Sequence, residues 1–207
     1  MKRELEVISQ TRAEQRVWLK KLATIFRAMD DGYAQAAEYY GFACRGCEDS
    51  CCRTRFYHHT FLEYLYIYKG FELLTREERQ NAKARAAEYC RKIGETETAD
   101  TRARVMCPLN VEGLCTIYKF RPMICRLHGI SHELHRPGQG ILYGPGCDRF
   151  DIQREGKNDY PFDRTPFYKA LAGLEKEFRQ TLGVNEKIKM AIAEIIITPF
   201  LSHRLCR

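Results

Sequence analysis

The chain lacks any long apolar run. Its most hydrophobic stretch, Ile192 to Leu201, is interrupted by Glu194, Thr198 and Pro199, and it falls far short of the ~20 residues that a bilayer span requires. No membrane segment is expected. The amino-terminal MKRELEVISQTRAEQRVWLKK scatters charge throughout and has no uninterrupted apolar core, so no secretory signal is expected either. A Ser-His-Asp order, a glycine-rich phosphate loop, a dinucleotide fingerprint and a paired-carboxylate motif are all missing, which excludes the commonest routes to hydrolysis and nucleotide chemistry. Internal repeats and low-complexity tracts are missing too. The expectation is a cytoplasmic protein in which thiols stay reduced, and a chain of 207 residues is long enough to bury a core without disulfides.

What is present is an ordinary globular composition, 44% hydrophobic and 29% charged. A net charge of +7 raises the question of a nucleic-acid or acidic partner. The cations are interleaved with acids, however, as in Arg76-Glu77-Glu78-Arg79, and that pattern is the solvated face of a helix. Metal-bound thiolates would also carry negative charge that the formal count omits. Nucleic acid is not expected as a partner, and a protein partner is left open.

Cysteine is the residue in excess, with ten in the chain. One group reads Cys44-x2-Cys47-x3-Cys51-Cys52, and a second comprises Cys107, Cys115, Cys125 and Cys147. In a reducing compartment thiolates this dense point to metal. As soft, charged ligands they suit zinc, cuprous copper or iron in clusters. Cys44 and Cys47 can converge on one tetrahedral centre, whereas the adjacent Cys51 and Cys52 point apart and belong to different metals or different corners of a cluster. The eight sulfurs allow two four-thiolate zinc sites or an iron–sulfur cluster, and spacing does not separate the two. Arg53, Arg55, Arg121 and Arg126 stand close enough in sequence to offset thiolate charge. Among the histidines His128 is the first candidate for a ligand or site neighbour, ahead of His132, His135, His58 and His59. Cys90, apart from both groups, is expected to be a small buried apolar residue.

Helices are expected to frame these groups. Leu5, Ile8, Val17, Leu22, Ile25, Phe26 and Met29 recur at helical spacing from Glu4 to about Tyr40, with a break near Asp30-Asp31-Gly32 or a stop at Gly41. Gly46 would give the first cysteine loop its freedom to turn. Thr60 to Phe71 is read as helix, its tyrosines as core. A capping box at Thr75-Arg76-Glu77-Glu78 opens the next helix, and Gly94 to Val105 reads as a connector. The stretch from Cys107 to Cys147 is so rich in glycine and proline that long regular elements are excluded. It is expected to fold around bound metal. Thr165 to Leu182, ended by Gly183, and Glu186 to Ile197, capped by Asn185, complete the helices.

The cysteine groups, with Cys107-Pro108-Leu109, Gly113, Cys115-x2-Tyr118, Arg121-Pro122 and Cys125-Arg126, resemble the YkgJ-like cysteine-cluster family, whose members are described as zinc- or iron-chelating. The resemblance covers roughly Phe42 to Phe150 and departs at His128-Gly129, where an aromatic followed by proline or a small residue is the pattern. It implies metal binding by Cys44, Cys47, Cys51, Cys52, Cys107, Cys115, Cys125 and Cys147. A similar cysteine pattern in a flagellin lysine methylase keeps an enzyme in view. The resulting expectation is a single, mainly α domain over 1–207. A cysteine-cluster module at 42–150 is flanked by helices at 1–41 and 162–207. Its function is binding of zinc or an iron–sulfur cluster, the alternative being an iron–sulfur-dependent redox or methyltransferase-like modifying enzyme.

Overall fold

The computed structural model describes residues 12–44, 51–97 and 104–198. Its helices and strands, in chain order, are α1 (Arg12–Tyr40), α2 (Phe61–Glu72), α3 (Arg76–Glu97), β1 (Asn110–Val111), β2 (Leu114–Cys115), α4 (Met123–Leu127), β3 (His132–Arg136), β4 (Gly140–Gly144), α5 (Asp148–Gln153), α6 (Thr165–Leu182) and α7 (Ile192–Ile197). The architecture is mainly helical, with two small antiparallel hairpins in the cysteine-rich middle. Among the described residues no helix is long and apolar enough to cross a membrane.

Leu19, Leu22, Phe26, Met29 and Ala36 line the buried face of α1, which runs unbroken for 29 residues. The expected break at Asp30-Asp31-Gly32 does not occur. A Cβ on Gly32 would lie 3.1 Å from the Phe167 ring, so this glycine lets α6 approach closely. The stop comes at Gly41, whose φ of 60° is left-handed, with Phe42 N–H donating back to Ala37 O at 2.8 Å. Val17 departs from the expected stripe and is exposed. Leu5, Ile8 and Gly46 lie outside the described residues.

The next two helices start on local caps. Thr60 Oγ1 accepts from Glu63 N at 3.1 Å to open α2. For α3, Thr75 and Glu78 exchange bonds of 2.7 and 3.2 Å between backbone N–H and side-chain oxygen. The tyrosines of α2 are core, as expected: Tyr64 is fully buried and Tyr66 packs edge-on against Phe26 at 5.0 Å. α3 runs through Gly94, past the expected start of the connector. α6 ends at Gly183, φ 65°.

The last helix is shorter than expected. Asn185 does not cap it; Met190 instead forms a two-way backbone bridge with His58, N–H to O at 2.8 and 3.0 Å. That pairing holds Met190 out of helical register. Helix α7 starts only where the Glu194 carboxylate takes the Ala191 N–H, at 2.6 Å.

Helix α6 fixes α2 through one acid. Glu175 accepts from Phe61 N at 3.0 Å and from Leu62 N at 3.2 Å, satisfying two first-turn donors. Burial pushes its carboxyl up to about 7, against the lowering pull of those bonds. Between the ordinary carboxyl value and pH 7 the folded chain therefore binds more protons than the unfolded one. Stability should fall as pH rises through that window, by about 3 kcal/mol at most. Glu175→Gln is expected to flatten this slope in unfolding midpoints measured at pH 5 and pH 8. An identical pH response in both proteins would contradict the assignment.

Between Asn110 and Gly144 no element exceeds five residues, as the glycine and proline content requires. The hairpins were not foreseen. In the first, Glu112 and Gly113 take φ of 50° and 84°, the left-handed pair that a two-residue hairpin turn demands.

Candidate metal centre

Cys51 and Cys52 share a single 3₁₀ turn, Cys51–Arg53, closed by Thr54 N donating to Cys51 O at 3.0 Å. Contrary to the expectation that adjacent cysteines point apart, their side chains meet in a hydrogen bond. Cys107 is fastened to the same turn: its N–H donates to Cys52 O at 2.8 Å and its carbonyl accepts from Asn110 N at 2.9 Å. Asn110 in turn stands opposite Cys115 across the first hairpin. Short backbone bonds thus carry the register from Cys52 through Cys107 to Cys115. Cys125 arrives separately, on α4, whose Met123 N–H donates to the buried Glu63 carboxylate at 2.9 Å.

These residues surround a cavity of about 570 Å³ whose wall includes Cys44, Cys51, Cys52, Cys107, Cys115 and Cys125. Tyr33, Phe56, Tyr89, Leu109, Ile117 and the first turn of α7 complete it. Thiols from distant parts of the chain thus share one space. Cys147 stands off that wall, at the N-cap of α5, with its N–H donated to Gly129 O at 2.9 Å. Cys47 lies outside the described residues.

Loss of water sets the charge state of the thiols. Burial pushes Cys107 up to about 12, raises Cys115, and holds Cys125 well above the ordinary thiol value. Repulsion adds to this: Cys107 feels Cys52 and Cys115, Cys115 feels Cys52, and Cys125 feels all three. Cys51 is raised first by its hydrogen bond with Cys52, then by burial. Neutral thiols are stable here, and several thiolates together are not unless a cation lies among them. Among the described residues no three His, Cys, Asp or Glu side chains converge closely enough to hold one ion.

The neighbours divide by what they touch. Arg121 reaches the group, donating to Cys125 O at 3.4 Å and drawing the Cys115 thiol down. Arg126 lines the cavity but gives its donors to Arg121 O, Lys119 O and Asp30. Arg53 is exposed, and Arg55 stacks over Tyr57 at 4.9 Å. His128 lines the cavity edge-on to Phe56, their ring centroids 5.4 Å apart. His58, ranked below it from sequence, also lines the cavity and is buried, held near a pKa of 4 mainly by burial. His132 and His135 lie on β3, the latter 3.1 Å from Glu133, and His59 faces another cavity against α6. Asp30 and Tyr33 of α1 were not anticipated as neighbours. Their approach is set by packing against segments some hundred residues away, for which the sequence carries no local signal.

Cys90 corrects an expectation. It lies in α3 as expected, yet it is disulfide-bonded rather than a free buried thiol. Cytoplasmic location, argued partly from reduced thiols, loses that support.

No family model, no curated protein and no solved structure matches the chain.

Proposed function

We propose that this is a metal-binding protein whose clustered cysteines hold zinc or an iron–sulfur cluster. The observation that carries the reading is the shared cavity, in which thiols from distant segments are desolvated and repel one another as anions. A soft cation relieves that repulsion, and sulfur is the donor type such ions take. The donors would be Cys44, Cys51, Cys52, Cys107, Cys115 and Cys125, with Cys147 beside them and Cys47 added from its sequence spacing. Loading requires their sulfurs to draw together. A closed zinc site would be structural, and an iron–sulfur cluster would supply electron transfer. The likeness of the cysteine motifs to the YkgJ-like family supports the same reading, and membership in that family is part of the proposal.

A second reading rests on the size of the cavity. About 570 Å³ is within the range of small-molecule sites and exceeds what an ion fills. That favours an iron–sulfur-dependent redox or protein-modifying enzyme over a purely structural site.

Anaerobic isolation followed by metal and acid-labile sulfide analysis and a visible spectrum tests both. Colourless protein containing zinc supports closed structural sites, and brown protein containing sulfide supports the redox reading. Metal content is expected to be unchanged in Cys90→Ser. Reduced wild-type protein that is compact and empty would overturn the proposal.

A further inference from the structure

Resting on the reading of the cavity as a small-molecule site, we propose that it takes an uncharged aromatic molecule bearing one hydroxyl or N–H group, anchored by the His58 imidazole and the Tyr89 hydroxyl.

Polar groups without partners are the first ground. His58 is 2% exposed and lines the cavity, yet its Nε2 makes no hydrogen bond. Tyr89 lines the same cavity, is 7% exposed, and its hydroxyl bonds to no side chain or carbonyl among the described residues. A buried polar group left unmet costs ~1–3 kcal/mol. A ligand with one polar group supplies what the surrounding side chains do not.

The second ground is fixity. His58 N–H donates to Met190 O at 2.8 Å and Met190 N–H donates to His58 O at 3.0 Å, so the imidazole stands on backbone clamped at both polar groups. The same bridge brings Ala191, Ile192 and Ala193 onto the cavity wall. Tyr89 is carried by α3, a helix of 22 residues that packs against α7. Anchors held in this way spare a ligand the cost of ordering them.

The third ground selects charge and shape. Both guanidiniums on the wall are already engaged. Arg126 donates to Asp30 and to two carbonyls, and Arg121 donates to Tyr118 O and Cys125 O with Asp30 at 3.9 Å. Neither calls for an anionic ligand. Burial lowers the His58 pKa to about 4, so at neutral pH it offers a hydrogen bond and no charge. An ion would lose water among Phe56, Leu109, Ile117 and Ile192 without gaining a countercharge. The rings of Tyr33, Phe56 and Tyr89 favour a flat aromatic body.

The test is titration of full-length reduced protein at pH 7 with 2-naphthol, naphthalene and 2-naphthoate, which share a ring system and differ in the polar group. One site per chain is expected. It should bind 2-naphthol about tenfold more tightly than either of the others, the worth of one hydrogen bond. In His58→Phe this advantage over naphthalene should vanish while naphthalene affinity stays unchanged. Tyr89→Phe, which removes only a hydroxyl, should reduce the advantage and serves as the test if His58→Phe does not fold. An advantage that survives either substitution rejects that residue as an anchor. Naphthalene binding wild type as tightly as 2-naphthol, or both probes weakened equally by the variants, overturns the anchoring but leaves a small-molecule cavity standing. Tighter binding of 2-naphthoate overturns the uncharged class. Failure of all three probes to bind overturns the small-molecule reading beneath.

Discussion

Stripping metal from the reduced protein with a strong chelator is expected to lower its thermal midpoint by on the order of 10–20 °C. The loss should be concentrated between Val105 and Phe150. Much of that stretch is irregular, its regular elements run to six residues at most, and its fully buried side chains are few: Leu109, Leu127, Ile130 and Phe150. Each contributes only ~1.5–3 kcal/mol. Helices α1 and α6, by contrast, bury long apolar faces against each other and against α2, as in the Trp18–Phe178 contact at 5.5 Å. Hydrogen exchange should therefore show the amides of Cys107, Asn110, Thr116 and Cys147 losing protection on stripping, while those in the middle of α1 and α6 keep theirs. An unchanged midpoint and unchanged protection, with removal of metal verified, would mean that the thiols are not what orders this region.

What could be read from sequence was whatever is decided within a turn or so of chain. Thr60 and Thr75 announce α2 and α3 because a hydroxyl and a carboxylate three residues on satisfy the first amides. Gly41 and Gly183 announce helix ends because each takes a left-handed φ. The misreadings share the opposite cause. Asp30-Asp31-Gly32 looks like a break only until Phe167 and Arg126 are brought against it. Asn185 looks like a cap only until Met190 is paired to His58.

The cysteines followed the same rule. Residue type and spacing picked out the thiols but could not distinguish the cavity wall from its margin, so Cys147 was grouped with Cys107, Cys115 and Cys125. His128 and His132 do not share a helix: α4 stops at Leu127 and His132 opens a strand.

Arg164→Met is expected to destabilise the fold by about 2–4 kcal/mol, the competing terms being large on both sides. Arg164 is buried, pairs with no carboxylate among the described residues, and has an Nε without a partner. Burial holds its pKa down to about 10, so keeping the cation here is costly, and methionine would remove that cost. Against this, its guanidinium donates to Leu127 O and, at 2.9 Å, to Ile130 O. With Tyr33 on His128 O and Cys147 on Gly129 O, four consecutive carbonyls after Cys125 are held from α1, α5 and the start of α6. Removing the guanidinium leaves two desolvated acceptors, each worth ~1–3 kcal/mol, beside the buried Leu127 and Ile130 side chains. The loss therefore outweighs the relief. Arg164→Lys should fall between the two, because an ammonium keeps the charge and its donors but is more strongly hydrated and sits on a shorter side chain than the single Nη2 that now reaches both carbonyls. Denaturant unfolding of the three proteins gives the order directly. A methionine variant as stable as wild type would mean that relief of the buried charge dominates, and that the Leu127–Ile130 turn does not depend on Arg164.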